Sequence, residues 1–199
     1  VIIATYGEEH WRTLAYQRAV NSIITDGSID EVIPLHEEHG TRATSLNEGA
    51  RQATCDWLIF LDADDELAPG YVGAMRRALE QHTSDGTRVL FTPAVQQIRK
   101  GRPGPPFFYK EVDLTLGNWL VIGTMISRAL FDEIGGFREH PHGLEDFNLW
   151  MRAHRAGATV VKVPDAIYVQ HMNPQSEHHK FQRNRPAYMV AYHAAVADV

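Results

Sequence analysis

The residues best placed to do chemistry are three carboxylates within four positions, Asp62, Asp64 and Asp65, which follow the apolar run Trp57-Leu58-Ile59-Phe60-Leu61. Carboxylates crowded this closely repel one another. A hard divalent cation carrying a phosphorylated ligand is the usual way to make such a cluster favourable. The alternative is a solvated acidic turn ahead of a helix beginning near Pro69-Gly70. Five consecutive apolar residues suit a strand buried on both faces of a helix-covered sheet, so the acids fall at its carboxyl end, where open α/β sheets place their ligands.

A second acidic pair, Glu145-Asp146, opens the segment Phe147-Asn148-Leu149-Trp150-Met151-Arg152. Carboxylates in a first helical turn are favoured by the helix dipole by about 0.3 to 1 kcal/mol each, which is enough to explain such a pair. The glycine-rich stretch Gly135 to Gly143 before it can also bring the helix end up to a ligand, where one of the two acids would act as a general base. His171 closes Tyr168-Val169-Gln170, where the chain leaves the sheet through Met172-Asn173-Pro174. A nitrogen ligand with aspartate oxygens suits manganese, whereas magnesium relies more on carboxylate, water and phosphate oxygens. The later pair His178-His179 lies in a polar stretch and reads as solvated. Thr5-Tyr6-Gly7-Glu8 leaves the first strand on the ligand side, and Arg42, just before a helix carrying Asn47, can reach a phosphate or a base. These types are equally at home in turns and in solvent.

The elements that must hold these residues alternate. Val1 to Thr5 reads as a strand, Trp11 to Ile24 as a helix, and Glu31 to Leu35 as a second strand. A helix runs to about Thr54, with Thr44 or Ser45 as its cap and Glu48 completing a capping box with Ser45. After the apolar strand, Tyr71 to His82 is helical, so the order β-α-β-α-β-α argues for a parallel sheet. Val89 to Ile98 is a further strand. The basic stretch Arg99 to Pro106 has prolines and glycines that exclude regular structure and make it a mobile connector. Trp119 to Ile126 reads as a strand and Arg128 to Ile134 as a short helix ended by Gly135-Gly136. Glu145 to Ala156 is helical, with Phe147, Trp150 and Met151 inward and Gly157 as its cap. Val160 to Val163 and Ala166 to Val169 are short strands, and Ala187 to Val196 is a terminal helix.

At 199 residues the chain is long enough to bury a sizeable core as a single domain. Its net charge of -6, from 19 basic and 25 acidic residues, argues against a wide nucleic-acid footprint. The one cysteine, Cys55, can form neither an internal disulfide nor a thiolate zinc site. No run approaches a membrane span and no basic-then-apolar leader is present, so a cytoplasmic protein is expected. Val1-Ile2-Ile3-Ala4 starts the chain without Met, which implies upstream residues removed or uncounted.

The ordered set Ala4-Thr5-Tyr6, Leu46-Asn47-Glu48-Gly49-Ala50-Arg51-Gln52-Ala53, Leu61-Asp62-Ala63-Asp64-Asp65-Glu66-Leu67-Ala68-Pro69, Gly123-Thr124-Met125-Ile126-Ser127-Arg128, Ile134-Gly135-Gly136-Phe137, Glu145 to Arg152 and His171 resembles the family 2 glycosyltransferases. The resemblance implies an α/β GT-A fold: a Rossmann-like, mostly parallel sheet flanked by helices. Residues 1–92 would form the nucleotide-sugar-binding half and 93–199 the acceptor and catalytic half. It also implies metal-dependent, inverting transfer from a nucleoside-diphosphate sugar, UDP-linked first and GDP- or dTDP-linked next, to an unknown acceptor. Asp62 is similar to the family's ribose-side aspartate, Asp64 and His171 to its ligands for Mn2+ or Mg2+, and Asp146 to its base, with Glu145 beside it. Thr5, Tyr6, Glu8 and Arg42 fall on the nucleotide side, and Gly123 between donor and acceptor. The family's base-reading acid is missing from Leu35-His36-Glu37-Glu38-His39-Gly40, where Glu37 is a candidate substitute. Two other readings use the same acids. Nucleotidyl transfer would release pyrophosphate, but no glycine- and lysine-rich phosphate loop follows the first strand. The other is a nucleotide-sugar-binding module without catalysis.

Overall fold

The computed structural model describes residues 1–24, 26–82, 88–140, 144–172 and 184–199. Strand β1 (Ile2–Tyr6) leads into a helical run made of α1 (Glu9–Ala15), a wider π turn at Tyr16–Val20, and α2 (Asn21–Ile23). Then follow β2 (Ile33–Glu37), α3 (Arg42–Gln52), β3 (Trp57–Leu58), β4 (Glu66–Leu67) and α4 (Tyr71–His82). The second half holds β5 (Val89–Arg99), β6 (Arg102–Pro103), β7 (Ile126–Ser127), α5 (Arg128–Glu133), α6 (Glu145–Arg155), β8 (Thr159–His171) and α7 (Arg185–Ala197).

The apolar run stands where its composition demands. β1 pairs in parallel with β2 on one side. On the other, the Ile2 N–H donates to the Ile59 carbonyl at 2.8 Å and the Leu61 N–H to the Ile2 carbonyl at 2.9 Å. β3 then pairs antiparallel with β7, and Phe91 of β5 exchanges backbone bonds with Met125. β5 and β8 form a long parallel pair, from Val89 opposite Thr159 to Ile98 opposite His171, and β4 lies antiparallel along the outer side of β8. Leu58 to Leu61 are all buried in the middle of this arrangement, within a core that extends from Ile2 to Ala195. The sheet is mixed: its long pairings are parallel and its short ones antiparallel.

Four elements differ from expectation. The cap of α3 is Thr41, whose hydroxyl accepts from the Thr44 N–H while Thr44 Oγ1 accepts from the Thr41 N–H. Glu48 instead binds Arg51 and Gln52 along the exposed side of the helix. The expected strand at Trp119 to Ile126 shrinks to β7, because Thr124 N–H turns back to the Val121 carbonyl. The two short strands near the carboxyl end are one strand, β8, with an irregularity opposite Pro93/Ala94 that absorbs Pro164 to Ala166. Finally, the first half of the stretch Arg99 to Pro106 is a tight hairpin, β5 turning into β6 and ending at Pro103, and only residues 104–106 stay irregular. Lys100 (φ 51) and Gly101 (φ 74) turn the chain, and Pro103 sits at the edge, where its missing N–H leaves no gap in the ladder.

Gly123 is held by close packing. Its carbonyl accepts from the Tyr71 hydroxyl at 2.7 Å, and a Cβ there would overlap the Tyr168 ring and come within 2.9 Å of that hydroxyl. Gly123→Ala is therefore expected to lower stability by about 1 to 3 kcal/mol, as overpacking does. Chemical denaturation with an unchanged midpoint would show that both rings can move aside.

Candidate active site

Two helix starts and the end of the buried apolar run converge on Arg42. With Thr41 as cap, Arg42 is the first residue of α3, and its Nη2 donates to Asp62 Oδ1 and Oδ2 at 2.9 and 3.2 Å. Its Nη1 reaches Glu145 Oε2, at the start of α6, at 3.4 Å. Thr41 Oγ1 also donates to Glu139 Oε1 at 3.0 Å, a second tie between the start of α3 and the segment leading to α6. Asn47 makes a third: its amide exchanges two 2.8 Å bonds with the Phe137 backbone. The sequence named Arg42, Asp62 and Glu145 separately, and one guanidinium joins them.

Asp146, next to Glu145, is half-buried, and its Oδ1 accepts from the Phe147 N–H at 2.7 Å. Burial pushes its carboxyl up to about 6, with Glu145 and Asp62 adding to the rise and Arg42 opposing it. A carboxyl titrating there is ionised near neutrality yet far more basic than an exposed aspartate, as a general base requires. Tyr188 of α7 lies close enough that its phenol is raised, first by burial and then by the Asp146 charge. Tyr192, one turn on, stacks on Phe147 with ring centroids 5.3 Å apart. Nothing in the sequence of α7 pointed to the site; its aromatic spacing at 188 and 192 was the available signal.

The remaining acids divide the work. Asp65 is 5% exposed; it accepts from the Tyr168 hydroxyl at 2.9 Å and from the His171 N–H at 2.8 Å, which fastens the acidic turn to β8. Burial, then Asp64 and Asp62, push its carboxyl well above the usual range. The Asp64 carbonyl accepts from Arg18 at 2.6 Å, while its carboxyl, raised by burial and by Asp62, takes no side-chain donor among the described residues. His171 Nε2 lies 2.7 Å from Glu66 Oε1, a partner that sequence reading missed although it adjoins the motif. Among the described residues no three His, Cys, Asp or Glu side chains are gathered as a ready-made metal cage.

The amino-terminal candidates are spread out. Thr5 is buried, with Oγ1 donating to the Leu35 carbonyl at 3.2 Å and lying 2.9 Å from His36 Nδ1, so it links β1 to β2. Tyr6 is 41% exposed, and Glu8 is exposed and paired with His10 at 3.1 Å. Glu37, the candidate base reader, accepts from Ser45 Oγ at 2.7 Å. Gly123 lies between Tyr71 and Tyr168, as described above. Gly143, Asn173, Pro174, His178 and His179 lie outside the described residues. A cavity of about 360 Å³, lined by Ile2, Ile33, Trp57 and Leu79 among others, opens at the amino ends of β1 and β3; it is remote from Asp62 and Asp146 and has no part in this constellation.

The model for the family described as Glycosyl transferase family 2 matches residues 12–135, and the chain belongs to that family. An uncharacterized glycosyltransferase of Haemophilus influenzae is 28% identical over 127 residues, covering 59% of this chain and 42% of that protein. The uncharacterized glycosyltransferase YwdF of Bacillus subtilis is 27% identical over 148 residues, covering 69% and 53%. The chain therefore spans about half the length of these curated relatives. Among solved structures, S. aureus TarS 1-349 in complex with UDP-GlcNAc superposes with a TM-score of 0.66 at 17% identity, over 90% of this chain and 60% of that one. The same protein in complex with UDP gives 0.64. The α/β architecture is thus that of the GT-A fold. No helix among the described residues is long and apolar enough to cross a membrane.

Proposed function

We propose that this chain is the catalytic part of a metal-dependent, inverting glycosyltransferase that moves a sugar from a uridine-diphosphate sugar to an acceptor hydroxyl. The observation that carries the reading is the Asp146 carboxyl, raised to about 6 and one residue from the Glu145–Arg42–Asp62 chain of contacts that links it to the acidic turn. Family membership supports glycosyl transfer, and the superposable TarS complexes with UDP and UDP-GlcNAc support a uridine donor.

In this reading Asp146 takes the proton from the acceptor oxygen as that oxygen attacks the anomeric carbon from the face opposite the diphosphate. Arg42 bridges Glu145 and Asp62 and opposes the rise of the Asp146 carboxyl, which keeps the base ionised near neutrality. Residues 1–92 serve the donor and 93–199 the acceptor. The donor set fits a hard divalent ion, Mn2+ or Mg2+, at Asp64. Asp62 and Asp65 are occupied by protein donors, whereas the Asp64 carboxyl would hold the ion, with donor oxygens and water completing its shell. His171 would join only by giving up Glu66. When bound, the ion supplies positive charge against the departing diphosphate.

Calorimetric titration of UDP with and without manganese tests the donor and metal parts together. Wild-type protein is expected to bind UDP more tightly with manganese, and Asp64→Ala to lose that increment. Equal affinity in all four titrations would sink the metal assignment. Release of UDP rather than pyrophosphate on turnover separates glycosyl from nucleotidyl transfer.

A further inference from the structure

The hairpin at Arg99 to Pro103 has no task in the chemistry above. We propose that it is a docking arm for the acceptor, and that the acceptor is an extended soluble anion carrying phosphate or carboxylate groups beyond the hydroxyl that receives the sugar. This inference rests on the transferase reading and names the acceptor's chemistry.

The first support is charge. The chain as a whole carries -6, yet Arg99, Lys100 and Arg102 fall within four positions, with Lys110 a short way on. All four are exposed. Among the described residues none has a carboxylate partner: Arg99 donates only to the Gln97 side-chain oxygen, at 2.7 and 3.2 Å. Arg42, Arg51, Arg76, Arg88, Arg138 and Lys162 each pair with an acid; Arg77, Arg155 and Arg185 are exposed without one among the described residues but stand singly, so grouping is what sets the arm apart. Cations left unpaired in an acidic protein, and grouped at one tip, make a local field that attracts an anion.

Backbone conformation is the second. Lys100 is the one non-glycine with positive φ among the described residues. A two-residue turn with positive φ at both centres favours Asn-Gly or Gly-Gly, and a lysine in that region costs roughly 1 to 2 kcal/mol. A cation is therefore kept at the turn in spite of the backbone. Strain of this kind gathers at functional sites.

Rigidity and position complete the case. The Gly104 N–H donates to the Gln97 carbonyl at 2.9 Å, Gln96 Nε2 to the Gly104 carbonyl at 2.9 Å, and Val95 and Phe107 exchange two backbone bonds. The arm is thus fixed before any ligand arrives, which limits the ordering cost of binding. Its base, Ile98, lies opposite His171, whose N–H donates to Asp65, and β8 alone separates β5 from β4 with Glu66. The base of the arm therefore stands about 10 Å, two strand spacings, from the acidic turn, with Arg102 on β6 about one spacing further out, on the same carboxyl end of the sheet. An acceptor with one group at the site and further anionic groups along its length matches that separation. A membrane surface fits less well, because Arg99 to Arg102 offers no aliphatic or aromatic side chain to insert.

The test uses the full chain and the triple variant Arg99→Gln, Lys100→Asn, Arg102→Gln, in which asparagine relaxes the turn and protects folding. Binding of inorganic polyphosphate, neutral dextran and phosphatidylglycerol vesicles is measured at low and moderate salt, beside the thermal shift given by UDP. Wild-type protein is expected to bind polyphosphate with steep salt dependence and to ignore dextran. The variant should bind at least about tenfold more weakly, with its UDP shift unchanged. Equal polyphosphate affinity in the two proteins, no binding by either, or a wild-type preference for vesicles over polyphosphate would each overturn the docking role while an intact UDP shift leaves the transferase reading standing. Absence of any UDP shift in the wild type would overturn both.

Discussion

Asp146→Asn is expected to lower turnover by about 10²- to 10⁴-fold, the usual contribution of a positioned base, and at the same time to make the protein more stable near neutral pH. Asparagine keeps the oxygen that accepts from the Phe147 N–H, so the start of α6 stays intact. The carboxyl titrates at about 6 in the fold against an ordinary 3.8. The folded chain therefore holds this proton more tightly than the unfolded chain. Stability linked to this group is greatest below the ordinary value, falls as pH rises through the interval up to about 6, and stays low above it. The full loss amounts to about 3 kcal/mol, which a neutral amide does not incur. In the wild type, kcat/KM should rise with pH through the same interval as the base ionises. Urea denaturation and steady-state kinetics across that range check both halves. A variant as active as wild type removes Asp146 from the role of base, and one that is inactive without any gain in stability points to damage elsewhere.

How local each pattern is explains which parts of the site could be read from residue order. The acids at 62, 64, 65, 145 and 146 were visible because a buried strand and a helix start each put carboxylates at a position where ligands collect, and both are local patterns. Their partners were not visible. Arg42 lies 20 residues from Asp62 and 103 from Glu145 in sequence, and no periodicity links such distances; the packing of α3 against β1, the Thr41–Glu139 bond and the Asn47–Phe137 clasp bring them together. His171 was placed correctly at a strand end, but its neighbour Glu66 depends on β4 lying against β8, a pairing of two residues too short to leave a pattern. Local rules also competed where two solutions were available. Thr41 and Ser45 both head capping-box spacings, and Thr41 takes the cap. The Pro- and Gly-rich stretch after Arg99 suggested a loop, but Gly101 and Pro103 occupy the turn and edge positions that a hairpin tolerates, and Gly104, Pro105 and Pro106 lie beyond it.

Arg42→Met is expected to have the other large effect, on stability and on the pH profile together. The guanidinium is mostly buried between Asp62 and Glu145, with 22% of its side chain exposed and 34% and 9% of theirs. Those two acids, Asp146 and the field of Asp64 all raise the Arg42 pKa or are themselves eased by its charge. Removing it leaves acids facing one another with no compensating cation. Breaking a fully buried pair costs about 3 to 5 kcal/mol; the partial exposure of Asp62 brings the expected loss to about 2 to 4 kcal/mol. Because Arg42 is the main influence holding the Asp146 carboxyl down, its loss should push that carboxyl above about 6 and move the rising limb of kcat/KM to higher pH. Arg42→Lys discriminates between charge and geometry. It restores a cation without the planar fork, so it should return most of the pH limb but only part of the stability. If the limb stays in place in Arg42→Met while stability falls, the guanidinium is a structural clamp alone, and the basicity of Asp146 must be set by burial and by its acidic neighbours.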